Sequence, residues 1–397
     1  MKRRHDDGND DPSPSSASSS SSSAATGSND AHRAAAGAAA GAAAAAGAIV
    51  LSKKPRTDLD LAVVPAASAS SSALILHSQH PQLQQRPRLS TLLAPIVLLT
   101  GHSAEVTAAR FNPAGTILAS ASLDKSVLLW DTASCKNFAN FSGNHTAGIL
   151  DLQWTSNGER IVTASIDKSV GIWDAANGDR IRRYKAHQGI VNACATALNN
   201  QNAIVSGSDD RTTRVWDPRV RAEVHSLACS YPVTSVAVSH GGDTVYAGGL
   251  DNVVKVFDLR KPSEPALVLE GHADTITSLS LSPNGNFVLT NAMDNTVRIW
   301  DVRPYCPNDR CSTILTGAQH SFEKTLLRAN WSPDGNFVAA GSADRFVYVW
   351  NANTRALLYR LPGHSGSVND VTFHPKEPII ASGASDKKIY LGELDLS

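Results

Sequence analysis

Aromatic residues are scarce in this sequence, at 6% of its 397 positions, and methionine occurs only twice. Neither sign of charge is in excess, since lysine plus arginine and aspartate plus glutamate are both 36. Nine basic and seven acidic residues precede residue 94, leaving 27 and 29 behind it. Neither part is therefore a basic block able to grip nucleic acid over a broad surface. Five cysteines without framework spacing exclude a disulfide scaffold and point to a reducing compartment. No phosphate loop, zincin helix, nucleophile elbow, Rossmann fingerprint or RNA-recognition signature is present. The expectation is a binding protein rather than an enzyme, with no cofactor, no metal and no small-molecule substrate.

The run at 34–51 is uncharged over 18 residues, but it is built mainly of alanine and glycine and begins some thirty residues in. That excludes a signal peptide and makes a membrane span a poor fit. The run belongs to a stretch, 1–91, that also holds a near-pure serine tract at 15–23 and a polar segment at 82–88. Such composition buries too little apolar surface to offset its ordering entropy, so a disordered tail is expected there. Lys53, Lys54 and Arg56 form a short basic group within it, the pattern a nuclear import receptor reads.

From residue 92 to 397 the chain changes character. Residues 271–301, GHADTITSLSLSPNGNFVLTNAMDNTVRIWD, hold three runs of alternating apolar residues separated by turn chemistry, hence three short antiparallel strands and a fourth before the next Gly-His. The closing pairs recur at Trp130-Asp131, Trp173-Asp174, Trp216-Asp217, Phe257-Asp258, Trp300-Asp301, Trp350-Asn351 and the degenerate Gly392-Glu393. A Gly-His to Trp-Asp unit at this spacing resembles the WD40 repeat, which implies an all-β, seven-bladed β-propeller. The last repeat stops after three strands, and the apolar run at 94–100 has no blade of its own. The first and last segments are thus expected to share one blade and close the ring, since an open blade would leave an unpaired edge.

A polar set recurs at fixed offsets: His102, Ser120, Asp124 and Trp130; His145, Thr163, Asp167 and Trp173; His187, Ser206, Asp210 and Trp216; His272, Thr290, Asp294 and Trp300. His, Ser and Asp together invite comparison with a catalytic triad. Four copies, each with an indole donor, instead describe an internal hydrogen-bond chain that rigidifies a blade. Repeat four lacks the histidine and hydroxyl (Cys229, Ala247), repeat six has Ala340, and repeat seven has Gly392 for tryptophan; these blades are expected to depend more on apolar packing.

Three features are candidates for partner contact. Leu123, Ile166, Leu250 and Met293 stand immediately before turn aspartates, where they either tuck under loops or form an apolar ring around the central channel. The 50-residue interval between Trp300 and Trp350 carries an insertion with Tyr305 and Phe322 as its anchors; Cys306 and Cys311 lack a second pair at ligand spacing, so zinc is not expected. Arg219, Arg260 and Arg303 each lie two residues after a closing Asp, as in substrate receptors of cullin–RING ubiquitin ligases, or simply pair with loop carboxylates.

The segments PIVLLTGH (95–102), NAMDNTVRIWDVRP (291–304), FEKTLLRANWSPDG (322–335), AAGSADRFVYVWN (339–351), LPGH (361–364) and EPIIASGASDKKIYLGEL (377–394) go beyond a generic repeat. They resemble the WD40-repeat subunits of the spliceosomal U5 small nuclear ribonucleoprotein. The resemblance spans the propeller and its insertion but not the tail. It implies a nuclear, non-enzymatic scaffold of the U5 particle and the U4/U6.U5 tri-snRNP. Such a subunit binds the large U5 scaffold protein in company with the U5 helicase and GTPase, with little direct RNA contact.

Overall fold

The computed structural model describes residues 74–75, 88–143, 145–306, 309–323 and 325–395. The serine and alanine tracts and Lys53, Lys54 and Arg56 lie outside the described residues. Seven antiparallel sheets follow one another around a ring. Blade five is representative, with Ile276–Leu281 innermost, then Phe287–Ala292, Thr296–Asp301 and, outermost, Cys311–Thr316. Its first turn forms because Gly285 takes φ 73°, which glycine adopts without steric cost, and because Ser282 Oγ accepts the Phe287 N–H at 2.9 Å.

Burial follows radius. The innermost strand of blade four, Val233–Val238, is buried at every position, whereas the outermost strand of blade one, Lys136–Phe141, alternates between exposed and partly covered. Thr234 and Ser235 of that inner strand are buried because both bond to blade five.

The ring closes through the two ends of the propeller. Ile96–Thr100 pairs antiparallel with Lys388–Glu393, Leu98 opposite Tyr390, and becomes the fourth strand of blade seven. Val97 and Leu99 are fully buried there. The Glu393 N–H donates to the Pro95 carbonyl at 2.9 Å. Residues 88–91 are tied to the same blade: Arg88 Nε donates to Glu393 at 3.1 Å and the Thr91 N–H to Glu377 at 2.7 Å. Leu74–Ile75 lies antiparallel along the outer side of Val97 and Leu98.

Neighbouring blades are stitched by side chains of the innermost strands. In six blades the first and second strands shift register by one residue near the start of the inner strand, the signature of a β-bulge. The bulged residue bonds to the next blade's backbone in five of them. Thr107 Oγ1 donates to the Ile149 carbonyl at 2.8 Å, Asn192 to Val233 at 2.9 Å, Thr277 to Leu327 at 2.9 Å and Asn369 to Val106 at 2.8 Å; Thr234 donates to the Ile276 carbonyl in the same way. One residue further, Asp151, Ser235, Ser278 and Asp370 accept the N–H of Cys194, Leu279, Ala329 and Ala109.

Successive strands are antiparallel, so loops alternate between two faces. Turns between second and third strands, with their aspartates, share a face with the connections between blades; this is the aspartate face. The first-to-second turns, carrying Pro113, Pro283, Pro333 and Pro375, lie with the third-to-fourth loops on the proline face. Leu99→Ala should destabilise the ring by about 2–5 kcal/mol, the usual cost of truncating a fully buried leucine. Urea unfolding measures this, and an unchanged midpoint would show that closure carries no stability.

Candidate interaction site

The repeated polar set forms a continuous chain in blades one, two, three and five. In blade two the Trp173 indole N–H donates to Thr163 Oγ1 at 2.8 Å. Thr163 meets His145 Nε2 at 2.8 Å, and His145 Nδ1 meets Asp167 at 2.9 Å. Because the hydroxyl accepts from the indole, it donates to Nε2, and the proton of a neutral imidazole then sits on Nδ1, facing the carboxylate. The same bonds measure 2.9, 2.8 and 2.9 Å in blade one, 2.8, 2.7 and 2.8 Å in blade three, and 2.9, 2.6 and 2.8 Å in blade five.

Burial lowers the pKa of His145 and His187 despite the adjoining aspartates. Burial alone would raise Asp167, but hydrogen bonds from Ser169 and His145 outweigh it and hold the carboxyl at about 2. Asp210 is likewise held at about 2, burial being overcome by Thr212, the Gln188 N–H and His187. Each aspartate also fastens its own turn, Asp124 accepting the Ser126 N–H at 3.0 Å. That bond recurs in six blades, and a left-handed residue that is never glycine follows the aspartate in all seven: Lys125, Lys168, Arg211, Asn252, Asn295, Arg345 and Lys387.

The other blades find other partners. In blade seven His364 joins Ser382 at 2.9 Å and Asp386 at 3.1 Å, with Tyr390 edge-on to its ring. This is a near-complete set that the missing tryptophan disguised in the sequence. Blade six bonds Asp344 to the Tyr348 hydroxyl at 2.6 Å and turns the Trp350 indole to the Thr316 carbonyl. Blade four pairs Asp251 with Lys255 at 2.6 Å.

The candidate contact residues do not form one surface. Leu123, Ile166 and Met293 are half-buried on the aspartate face, while Leu250 is exposed. The corresponding positions in blades three, six and seven are Asp209, Ala343 and Ser385, so the apolar ring is incomplete. The two insertion anchors, read together in the sequence, lie on opposite faces. Tyr305, 92% exposed, follows the third strand of blade five and belongs to the proline face. Phe322, 98% exposed, follows the fourth and belongs to the aspartate face, where the His320 N–H reaches Asn295 at 2.7 Å. Leu250, Phe322 and Tyr231, the last 55% exposed, are the large exposed apolar side chains of blade four and the blade six approach on that face.

The three arginines of the closing motifs are held by carboxylates. Arg219 grips Asp217 with Nε at 3.0 Å and Nη2 at 2.6 Å, Arg303 grips Asp301 through the same fork, and Arg260 reaches Asp243 at 2.9 Å. The Arg303 hydrogen bond outweighs burial and holds Asp301 at about 2.

Sequence reading missed the centre of the ring. Arg328 of blade six crosses the channel to Asp151 of blade two at 2.8 Å and donates to the Leu150 carbonyl at 3.1 Å. Arg110 Nη1 meets both oxygens of Asp370 at 2.6 Å, and Asn330 donates to the Val371 carbonyl at 2.6 Å. The two arginines and two aspartates are buried and balance in charge. Burial pushes the Asp370 carboxyl up, against the pull of Arg110 and Arg328. The available signal was a charged residue within the inner strands of blades one, two and seven and one immediately before that of blade six. Partners as far apart as Arg328 and Asp151, or Arg110 and Asp370 at 260 positions, gave no local clue. Carboxylates do therefore enter the channel, but arginine occupies them, and no group of three potential metal ligands occurs among the described residues. No helix among them is long and apolar enough to cross a membrane.

Comparison with known proteins adds to this geometry. The WD domain, G-beta repeat family matches seven segments: 93–131, 135–174, 178–217, 221–258, 263–301, 310–351 and 355–391. The chain is 46% identical to the mouse U5 small nuclear ribonucleoprotein 40 kDa protein over 349 residues, 87% of this chain and 96% of the relative. It is 47% identical to the Dictyostelium discoideum protein of the same name over 308 residues, 77% of this chain and 86% of the relative. It is 44% identical to the pre-mRNA-splicing factor cwf17 of Schizosaccharomyces pombe over 309 residues, 78% of this chain and 90% of the relative.

Two outcomes follow from the hydrogen-bond chain. Thr163→Val leaves the Trp173 indole and His145 Nε2 buried without a partner and should cost about 1–3 kcal/mol in urea unfolding. Stability should also fall on acidification. Below about pH 6.5 the unfolded chain takes up protons on histidines that stay neutral in the fold, and below about pH 4 on aspartates that stay ionised. In both windows the unfolded state binds more protons, so a urea midpoint that rose between pH 7 and 5.5 would contradict this account.

Proposed function

The chain belongs to the WD domain, G-beta repeat family and, within it, to the U5 small nuclear ribonucleoprotein 40 kDa family, and we propose that it joins the U5 particle by binding its large scaffold protein. It is a WD40 protein of pre-mRNA splicing and a non-enzymatic scaffold. The single observation that carries this reading is 46% identity across 96% of a relative named for that particle. The U5 helicase and GTPase complete the proposed neighbourhood, in the U5 particle and in the U4/U6.U5 tri-snRNP. RNA contact is a minor part of it, in keeping with a net charge of zero. Nuclear import is assigned to Lys53, Lys54 and Arg56.

The proposed contact surface is the aspartate face around blades four to six. Leu250, Tyr231 and Phe322 project there, and exposed aromatic or aliphatic anchors are what a protein interface desolvates most profitably. Met293 stands between them in chain order, and Leu123 and Ile166 continue the same rim at lower exposure. Tyr305 offers a separate anchor on the other face.

Affinity purification of the tagged chain from nuclear extract, with and without RNase, tests the reading. U5 proteins should be recovered, with the large scaffold protein retained after RNase. Phe322→Asp and Leu250→Asp should weaken that recovery by about tenfold or more with no change in melting temperature, since exposed loop positions contribute little to stability. Recovery of a cullin and its adaptor without U5 proteins would replace the reading by that of a ubiquitin-ligase receptor. The carboxylate-held state of Arg219, Arg260 and Arg303 gives that alternative no support.

A further inference from the structure

The central channel opens on the proline face into a cavity of about 350 Å³, bounded by the ends of the innermost strands and the turns that follow them. Six of the seven blades contribute, and the walls are mainly apolar: Phe111, Trp154, Trp331 and Phe373 are the large side chains, with Leu198 at the rim and the neutral Asn112, Gln153 and Thr196 between them. Leu198 is 56% exposed. The two indoles are held in place from behind, Trp154 Nε1 donating to the Arg110 carbonyl at 3.0 Å and Trp331 Nε1 to the Ser280 carbonyl at 3.2 Å. The walls are therefore built before any partner arrives. A second cleft, of about 560 Å³ between blades five and six, shares Pro283 and Trp331 with it but is lined largely by polar side chains, among them Asn284, Asp334 and Asn336.

Arg110 lies deepest along its strand among the blade-one residues that line this cavity. Its hydrogen bonds run through Nη1 alone, to Asp370 and to the Ala109 carbonyl. Nε and Nη2 bond to nothing among the described residues and are not sealed from solvent. The cavity thus combines apolar walls with unused N–H donors on a guanidinium whose charge Asp370 already balances. A neutral acceptor suits that floor. A carboxylate or phosphate would bring a net negative charge into an apolar site that has no spare cation, at a desolvation cost the geometry does not offset.

We propose that this cavity is a binding site for an extended, uncharged segment of a protein partner, which inserts an apolar side chain between Trp154, Trp331 and Phe373 and gives a backbone carbonyl to Arg110. The site is separate from the aspartate face, and it does not depend on which particle the chain joins. A protein using both faces is held across the ring rather than on one side.

Ligand-detected NMR on the full chain tests this with three probes: acetyl-Leu-Phe-amide, its free acid acetyl-Leu-Phe, and uridine monophosphate. The amide should bind, the acid should bind about tenfold more weakly, and the nucleotide should not bind. Leu198→Asp, at an exposed position, should abolish binding of the amide while leaving the melting temperature unchanged, and Arg110→Gln should weaken it. Should Arg110→Gln fail to fold, because Asp370 is left unpaired, Leu198→Asp still decides the matter. No binding of the amide, equal binding of the acid, binding of the nucleotide, or indifference to Leu198→Asp would each overturn the proposal. In assembled particles, a benzophenone side chain at position 198 should cross-link to an apolar, uncharged protein segment; a cross-link to RNA, to an acidic segment or to this chain's own amino-terminal stretch would overturn it.

Discussion

Ring closure is the constraint on which everything else here depends. Each blade buries the face of its neighbour, so a ring short of one contact leaves two apolar faces and an unpaired edge in water. The chain meets this by placing Ile96–Thr100 in its last blade, where it completes the sheet begun at Val368–Phe373. The inner strands then carry the closure around the circle. Thr107, Asn192, Thr234, Thr277 and Asn369 each reach a carbonyl of the following blade. The bulge beneath these residues is what turns a polar side chain out of the sheet and toward its neighbour. A single such bond is worth only about 1 kcal/mol, but a ring cannot lose one without loading the rest.

Radially, the blades solve one problem in different ways. Four use the full chain from indole to carboxylate; blade seven lacks the indole and sets Tyr390 edge-on to His364, and blade six gives the turn aspartate to Tyr348. The shared element is a turn aspartate that must be satisfied, because a left-handed lysine, arginine or asparagine follows it in every blade. That conformation costs a residue with a β-carbon roughly 1–2 kcal/mol, and the aspartate's bonds to the turn backbone offset it. Blade four keeps the turn while lacking histidine and hydroxyl, its aspartate paired with Lys255 instead, and its Tyr231 and Leu250 are exposed on that face.

The repeat could be read from the chain because its determinants are local. Gly-His, the turn aspartate and Trp-Asp lie within one blade, their spacing is set by strand length, and seven copies leave little room for another fold. The complementary strand at 94–100 could be inferred from what the last repeat lacks. The charged centre could not. Arg110, Asp151, Arg328 and Asp370 sit on different blades, and a lone charge in or beside an apolar strand looks the same whether it faces solvent or a distant partner, as Arg110 does Asp370, 260 positions away. The bulges compound this, since a one-residue shift in register changes which side chains share a face.

The insertion shows how antiparallel topology divides what sequence places together. Tyr305 and Phe322 are separated by 17 positions, and one strand, Cys311–Thr316, lies between them. One strand is enough to carry the chain from one face of the ring to the other. Lengthening both ends of a single outer strand therefore extends both faces of the same blade at once, while the strand itself stays paired with Thr296–Asp301. A scaffold gripped on two sides has to be rigid between them. The charge-balanced set across the channel supplies that stiffness, because Arg328 ties blade six to blade two through the centre, where the circumferential bonds do not reach.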